Sequence, residues 1–195
     1  VGIAAYRLYT RFIFDMTEKT SIETIDLVCD DIDSLLNDAW SLCDLLTGDI
    51  IMQKYLRMQF PSIREQYSND LAGSMELASI STYRKDIFGV YMIGQNGGCY
   101  KSSYYSFKSG DMRETAWYRT IAKSREAIWF PPHEGSFIVR SSISDRFITV
   151  GQPVMDKASG LVNGIVAADI REEAITQKIR HGLRNGVICI IDQNG

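Results

Sequence analysis

Apolar positions early in the chain repeat with a helical period. Ile22, Ile25, Cys29, Ile32, Leu36, Ala39, Cys43 and Leu46 are spaced alternately by three and four residues, a heptad seam that predicts one long amphipathic helix. Thr47-Gly48-Asp49 breaks it. A second helical stretch follows, with Pro61 near its start and Ile63, Tyr67, Leu71, Met75 and Ala78 along one face. The pattern then changes to strands. Ile87–Ile93 is rich in β-branched and aromatic residues, and Gln95-Asn96-Gly97-Gly98 reads as a hairpin turn into a second strand near Cys99–Phe107. A loop over 108–115 and a short helix over Ala116–Ser124 come next. Further strands are expected at Ala127–Phe130, Phe137–Ile143, Arg146–Met155 and Leu161–Asp169, then a helix from Ile170 to about Leu183 that ends at Asn185-Gly186. Helices first and an antiparallel sheet afterwards make an α+β domain.

The end of the chain echoes its middle. Val187–Asp192 runs into Gln193-Asn194-Gly195, just as Val90–Ile93 and Gly94 run into Gln95-Asn96-Gly97. A repeated strand-and-turn unit suggests that a second module begins here. The expected organisation is a helical region over 1–80, a sheet module over 81–184 and the start of a further, truncated module over 185–195.

Composition narrows the class without naming it. Apolar residues at 45% and charged residues at 23% exclude disorder and collagen-like repeats. A net charge of -3 gives no general electrostatic reason to bind nucleic acid. Charge is uneven, with ten acidic side chains and one base, Lys19, between positions 15 and 49. A solvated helix face explains this; a calcium loop at Asp30, Asp31 and Asp33 lacks both the spacing and the turn glycine. No apolar run approaches a membrane span, and no signal-peptide pattern is present. Cys29, Cys43, Cys99 and Cys189 are scattered, without a CxxC or a nearby His pair, which argues against a zinc knuckle and demands no disulfide framework.

Catalytic patterns are missing too. The sequence contains no G-x-S-x-G elbow, P-loop, G-x-G-x-x-G or H-E-x-x-H. Of the two histidines, His133 lies in the turn-forming stretch Pro131-Pro132-His133-Glu134-Gly135, where exposure is expected, and His181 lies toward a helix C-terminus. No catalytic residue, cofactor or metal site is expected.

Ligand binding is better supported. Tyr100, Tyr104, Tyr105, Trp117, Tyr118 and Trp129 fall within one thirty-residue stretch, and Tyr and Trp offer an apolar face with a hydrogen-bonding tip. Arg113 is either an exposed loop residue or a bidentate grip for a carboxylate. Asp169, at the end of the apolar run Ile165-Val166-Ala167-Ala168, is either a helix N-cap or a pocket residue.

The order of these elements resembles the double Cache group of extracytoplasmic sensor domains. The resemblance rests on Asp86–Gly97 for the first hairpin, on Ala116-Trp117-Tyr118 for the element that lids the distal pocket, and on Arg146–Val154 and Gly164–Ile170 for the closing strands. Asp31–Leu36 and Ile51–Leu56 look most like sensor histidine kinases of Gram-positive gut bacteria. The resemblance covers nearly the whole chain and implies a PAS-like antiparallel sheet behind long N-terminal helices, the membrane-distal Cache module. It implies a non-enzymatic, extracellular sensor region of a membrane receptor, dimeric in the full-length histidine kinase, whose transmembrane segments lie outside this stretch. A small ligand would shift the helices and so the cytoplasmic output. In amino-acid-binding members an Arg two residues before the Trp-Tyr pair takes the carboxylate and a late-strand Asp takes the amine. Here Thr115 holds the first position, with Arg113 the nearest Arg, and Asp169 is the candidate for the second. The ligand-binding set implied is Tyr91, Tyr105, Arg113, Trp117, Tyr118 and Asp169. The ligand is an organic acid, amino acid, sugar or purine, with no nucleic acid partner.

Other classes stay open. A chemoreceptor or diguanylate cyclase could be the output. A hydrolase would need a nucleophile and base to meet in space, with only His133 near the aromatic cluster. A dimerisation module would rest on the 22–46 seam, where the two cysteines could face a partner's.

Overall fold

The computed structural model describes residues 2–81, 86–141 and 144–182. The chain divides into two compact units, one made of Val1–Leu35 with Ile175–Gly195 and the other of Leu36–Ala174. Helix α1 runs over Gly2–Gly48, and its seam is used in part. Ala39, Cys43 and Leu46 are buried in the second unit, together with Leu42. Ile22, Ile25 and Cys29 are exposed, and in the first unit Val28, Leu35 and Ile175 are buried instead. Complete burial of Cys43 takes its thiol away from any intermolecular disulfide.

The second unit holds a five-stranded antiparallel sheet in the order β2-β1-β5-β4-β3. Its strands are β1 (Ile87–Gly94), β2 (Cys99–Lys101), β3 (Ile128–Glu134), β4 (Arg146–Met155) and β5 (Val162–Arg171). Two short helices, α2 (Ile50–Arg57) and α4 (Ala116–Lys123), a longer α3 (Ile63–Ser81) and the start of α5 (Glu172–Gly182) complete it. Asp49 caps α2 by accepting from Met52 N at 2.8 Å, so the break after Gly48 starts a new helix directly. The α+β architecture with a PAS-like sheet is therefore the observed one.

The central strands are covered on both faces, which is why β5 reads as a nearly continuous apolar run. On one face Val90, Met92, Val150, Val154, Val166, Ala168 and Ile170 are completely buried, and α2 packs against β1 and β5. On the other, α4 lies over β4 and β5. It comes so close that a Cβ on Gly151 would run into the Ile121 side chain.

Several expected elements are corrected. The face of α3 marked by Ile63, Tyr67, Leu71 and Met75 points outward, while Gly73 and Leu77 point in, because the Tyr100 ring of β2 packs on Gly73. Of the strand expected over Phe137–Ile143, residues 137–141 keep one bridge, between Phe107 and Val139, and 142–143 lie outside the described residues. The stretch expected to turn at Pro131-Pro132 continues as β3, an edge strand where missing N–H donors are tolerated. Helix α5 starts at Glu172 rather than Ile170, since Ile170 and Arg171 still pair with β4. The unit expected over 185–195, with Val187–Asp192 and Cys189, lies outside the described residues.

Four residues, Gln95–Gly98, join β1 to β2, and Gly97, at φ 87°, closes the turn with its N–H to Gly94 O at 3.0 Å. Three neighbours hold it. Asn96 donates to Tyr55 O at 3.0 Å and Met58 O at 2.7 Å, Gln66 donates to Gly97 O at 2.9 Å, and Arg113 donates to Gln95 O at 2.7 Å.

Candidate functional site

The site grows from one row across three strands. Gly89 of β1, Asp169 of β5 and Thr149 of β4 are register partners, so the Asp169 carboxyl stands between a residue with no side chain and a hydroxyl. The Tyr91 ring fills the space left by Gly89, where a Cβ would strike its hydroxyl. Asp169 is completely buried, and Thr149 Oγ1 lies at hydrogen-bond distance, 2.6 Å, from its Oδ1. Oδ2 of Asp169 and the hydroxyl of Tyr91 make no hydrogen bond of good geometry, although the Ser136 and Tyr91 hydroxyls lie near enough to the carboxyl to act on it. Burial raises the Asp169 pKa to about 6, against the opposing pull of the Ser136, Thr149 and Tyr91 hydroxyls and of Lys108. Burial, and then the Asp169 charge, push the Tyr91 phenol up. Asp169 is no helix cap, since it sits inside β5 with its side chain turned to β4.

His133 joins this row through a bulge. Phe130 pairs with Thr149 and His133 with Phe147, so three residues of β3 span two of β4. The extra residue resets the strand's alternation, and Phe130 and His133 come to one face. There His133 Nε2 lies 2.9 Å from Thr149 Oγ1 and Nδ1 lies 2.9 Å from Gly135 O. The imidazole stacks on Phe137, with centroids 3.8 Å apart and planes 15° from parallel. Burial lowers its pKa, and Lys108 acts in the same direction. The expected exposed turn histidine is thus a half-buried, doubly hydrogen-bonded one.

An aromatic wall surrounds these groups. Trp117 stacks on Phe137 at 5.9 Å, Phe130 meets Phe137 edge-on at 5.3 Å, and Trp117 meets Tyr118 edge-on at 6.3 Å. Tyr118 is buried against Tyr91, Ile138 and Ile165, its hydroxyl unpartnered and its pKa raised by burial to about 12. Phe88 lies between Tyr105 at 5.0 Å and Phe147 at 4.8 Å, and the Arg171 guanidinium sits 4.5 Å above its ring.

Of the six residues expected from sequence, Tyr91, Trp117, Tyr118 and Asp169 lie in or against one cluster, and Tyr105 reaches it through Phe88. Arg113 is committed elsewhere. Its Nε donates to Asp111 at 2.9 Å and its Nη2 at 2.5 Å while Nη1 holds the β1–β2 turn, and this fork keeps the Asp111 carboxyl down at about 2. Sequence reasoning missed Thr149, Ser136 and Phe137, and named His133 only as the histidine a hydrolase would need. A lone threonine between Ile148 and Val150, on a strand opposite Asp169, was the one available signal.

No protein-family model matches the sequence, and no curated protein does either. Solved structures match its fold. The chain resembles the ligand-binding domain of the Pseudomonas aeruginosa amino acid chemoreceptor PctC in complex with GABA, at 18% identity and a TM-score of 0.55, over 80% of this chain and 65% of that one. It also resembles the ligand-binding domain of the Campylobacter jejuni chemoreceptor Tlp3 in complex with L-valine, at 15% identity and a TM-score of 0.59, over 85% and 64%. A third is the ligand-binding domain of the Pseudomonas fluorescens chemoreceptor CtaA in complex with L-serine, at 15% identity and a TM-score of 0.51, over 78% and 58%. The match thus spans less than two thirds of each of these structures. The fold, long N-terminal helices ahead of a five-stranded antiparallel sheet, is the one these ligand-binding domains share. Among the described residues no helix is long and apolar enough to cross a membrane.

Proposed function

We propose that the chain is the ligand-sensing region of an extracytoplasmic membrane receptor and that its ligand is a small molecule bearing an ammonium group. One observation carries the reading: a fully buried carboxylate oxygen, Asp169 Oδ2, has no partner, beside a tyrosine hydroxyl that has none either. A buried unpaired acceptor costs about 1–3 kcal/mol, more when charged, and a donor from a ligand would recover it. Trp117, Phe137 and Tyr118 supply apolar surface around that point. Arg113 spends its guanidinium on Asp111 and Gln95, so it does not serve as the carboxylate grip of this site.

A histidine-kinase output is proposed from Asp31–Leu36 and Ile51–Leu56. Chemotaxis is the second reading, favoured by the chemoreceptor domains that share the fold. Thermal-shift titration with GABA, L-valine, L-serine, organic acids, sugars and nucleobases tests the ligand class. A ligand at one hundred times its Kd adds about 2.7 kcal/mol, a shift of several degrees. Amines are expected to shift the wild type and to leave Asp169→Asn unmoved. Shifts by sugars or acids alone would overturn the reading.

A further inference from the structure

The hydrogen bonds that end at Asp169 hold one proton too many for their groups in ordinary charge states. Three contacts run in line: Gly135 O to His133 Nδ1 at 2.9 Å, His133 Nε2 to Thr149 Oγ1 at 2.9 Å, and Thr149 Oγ1 to Asp169 Oδ1 at 2.6 Å. Each needs one hydrogen. A carbonyl only accepts, so Nδ1 carries the first. Thr149 has a single hydroxyl hydrogen, which serves one of its two contacts. The third must come from an end of the line, as Oδ1–H of a neutral Asp169 or as Nε2–H of a protonated His133. A neutral histidine facing an ionised aspartate leaves one contact with two acceptors and no hydrogen.

We propose that Asp169, Thr149 and His133 form a one-proton relay that moves its proton to His133 when a cation occupies Oδ2 of Asp169. The proposal rests on the sensor reading above for the cation, and on geometry alone for the relay. Without ligand, and below the midpoint of the line, the proton sits on Oδ1, Asp169–COOH donates to Thr149, and the threonine hydroxyl donates to Nε2. When an ammonium group reaches Oδ2, Oδ1 gives its proton to Thr149 Oγ1 while Thr149 gives its own to Nε2. The products are a carboxylate, an intact hydroxyl now pointing at Oδ1, and an imidazolium. Proton count and total charge are unchanged.

Every charged or titratable neighbour bears on this balance. Toward Asp169 these are Tyr91 on β1, Lys108 beyond β2, and Cys43 on α1, whose thiol is raised by burial and by the Asp169 charge. Ser136 adds a hydroxyl. Toward His133 the charged neighbour is Lys108. Burial favours a neutral Asp169, and burial and Lys108 favour an uncharged His133 against the opposing hydrogen bond to Gly135 O, so the balance at both ends places the resting proton on Asp169. His133 is the half-exposed end of the line and Asp169 the fully buried one. It acts as a positioning residue for Asp169, through Thr149.

The relay is tested on the ligand-free chain by following His133 ring nitrogens and the Asp169 carboxyl carbon by NMR from pH 4.5 to 8.5. The chain's other histidine, His181, is assigned by substitution. The expected result is a neutral His133 with its hydrogen on Nδ1, and one shared midpoint reported by both groups. Thr149→Val should split that midpoint into two, and Thr149→Ser, which restores the hydroxyl, should rejoin them. Should Thr149→Val not fold, Asp169→Asn serves. Its amide donates as the acid does, so His133 should stay in the Nδ1–H form with the shared step abolished. An Nε2–H tautomer in wild type, separate midpoints in wild type, or a shared midpoint that survives Thr149→Val or Asp169→Asn would each overturn the relay. None of these outcomes depends on a ligand. A flat ligand screen would sink the sensor reading alone.

Discussion

Asp70 and Asp169 are two carboxyl groups raised by burial to about the same pKa, near 6, and they do different things. Asp70, half-buried on α3, accepts from the Cys99 backbone N–H of β2 at 3.1 Å. One turn on, Ser74 accepts from Lys101 N at 3.1 Å. The pair closes hydrogen bonds that the outer strand would otherwise leave open. Asp169 closes one bond with Oδ1 and leaves Oδ2 without a partner where water cannot reach it. A raised pKa therefore marks burial in both, and the unpartnered oxygen is what sets Asp169 apart as the candidate ligand-binding group.

That contrast can be broken by experiment. Asp169→Asn should weaken binding of an amine ligand at least about 30-fold, since charged hydrogen bonds in buried sites are worth roughly 2–5 kcal/mol. Asp70→Asn, which keeps the accepting oxygen, should change the Kd by less than about twofold; calorimetry reads both.

The next effect is on stability. A carboxyl whose folded pKa lies above its unfolded value favours the native state when protonated, so its stabilisation is present below about pH 4 and is lost as pH rises to about 6. For Asp169 a two-unit rise corresponds to about 3 kcal/mol as an upper figure. Urea unfolding should show Asp169→Asn more stable than wild type at pH 7.5 and level with it near pH 4. Half-exposed Asp70 is screened, and its share of the slope should be a small fraction of that. A flat wild-type profile from pH 4 to 6 would defeat this assignment.

Asp70→Ala should cost about 1 kcal/mol by leaving the Cys99 N–H unpaired. Smaller still, Arg113→Lys should cost less than about 1 kcal/mol, because it gives up the fork on a solvent-facing Asp111 and weakens one tie to the β1–β2 turn.

Much of the sheet was legible because its strands carry local signals. Arg146–Met155 is bounded as expected, and β1 and β5 differ by one or two residues, since apolar runs between turn residues define them. Periodicity reveals that α3 has an apolar stripe but not which way it faces. That was decided by the Tyr100 ring on Gly73, a contact across sequence-distant elements. Asp169 and the aromatic group could be read from the chain itself. Thr149 and His133 could not, because their roles come from strand register and from a bulge at two prolines that reads locally as a turn. Arg113 was visible as a cation, while its pairing with Asp111 and Gln95 arises only in the folded chain.

The two outer strands of the sheet share a consequence for behaviour at high concentration. Along β2, Asp70 and Ser74 already occupy the N–H groups of Cys99 and Lys101. Along β3, Pro131 and Pro132 have no N–H to offer, and the bulge bends the strand there. Neither border is a good template for a further strand, so the sheet resists the edge-to-edge growth that seeds cross-β fibrils.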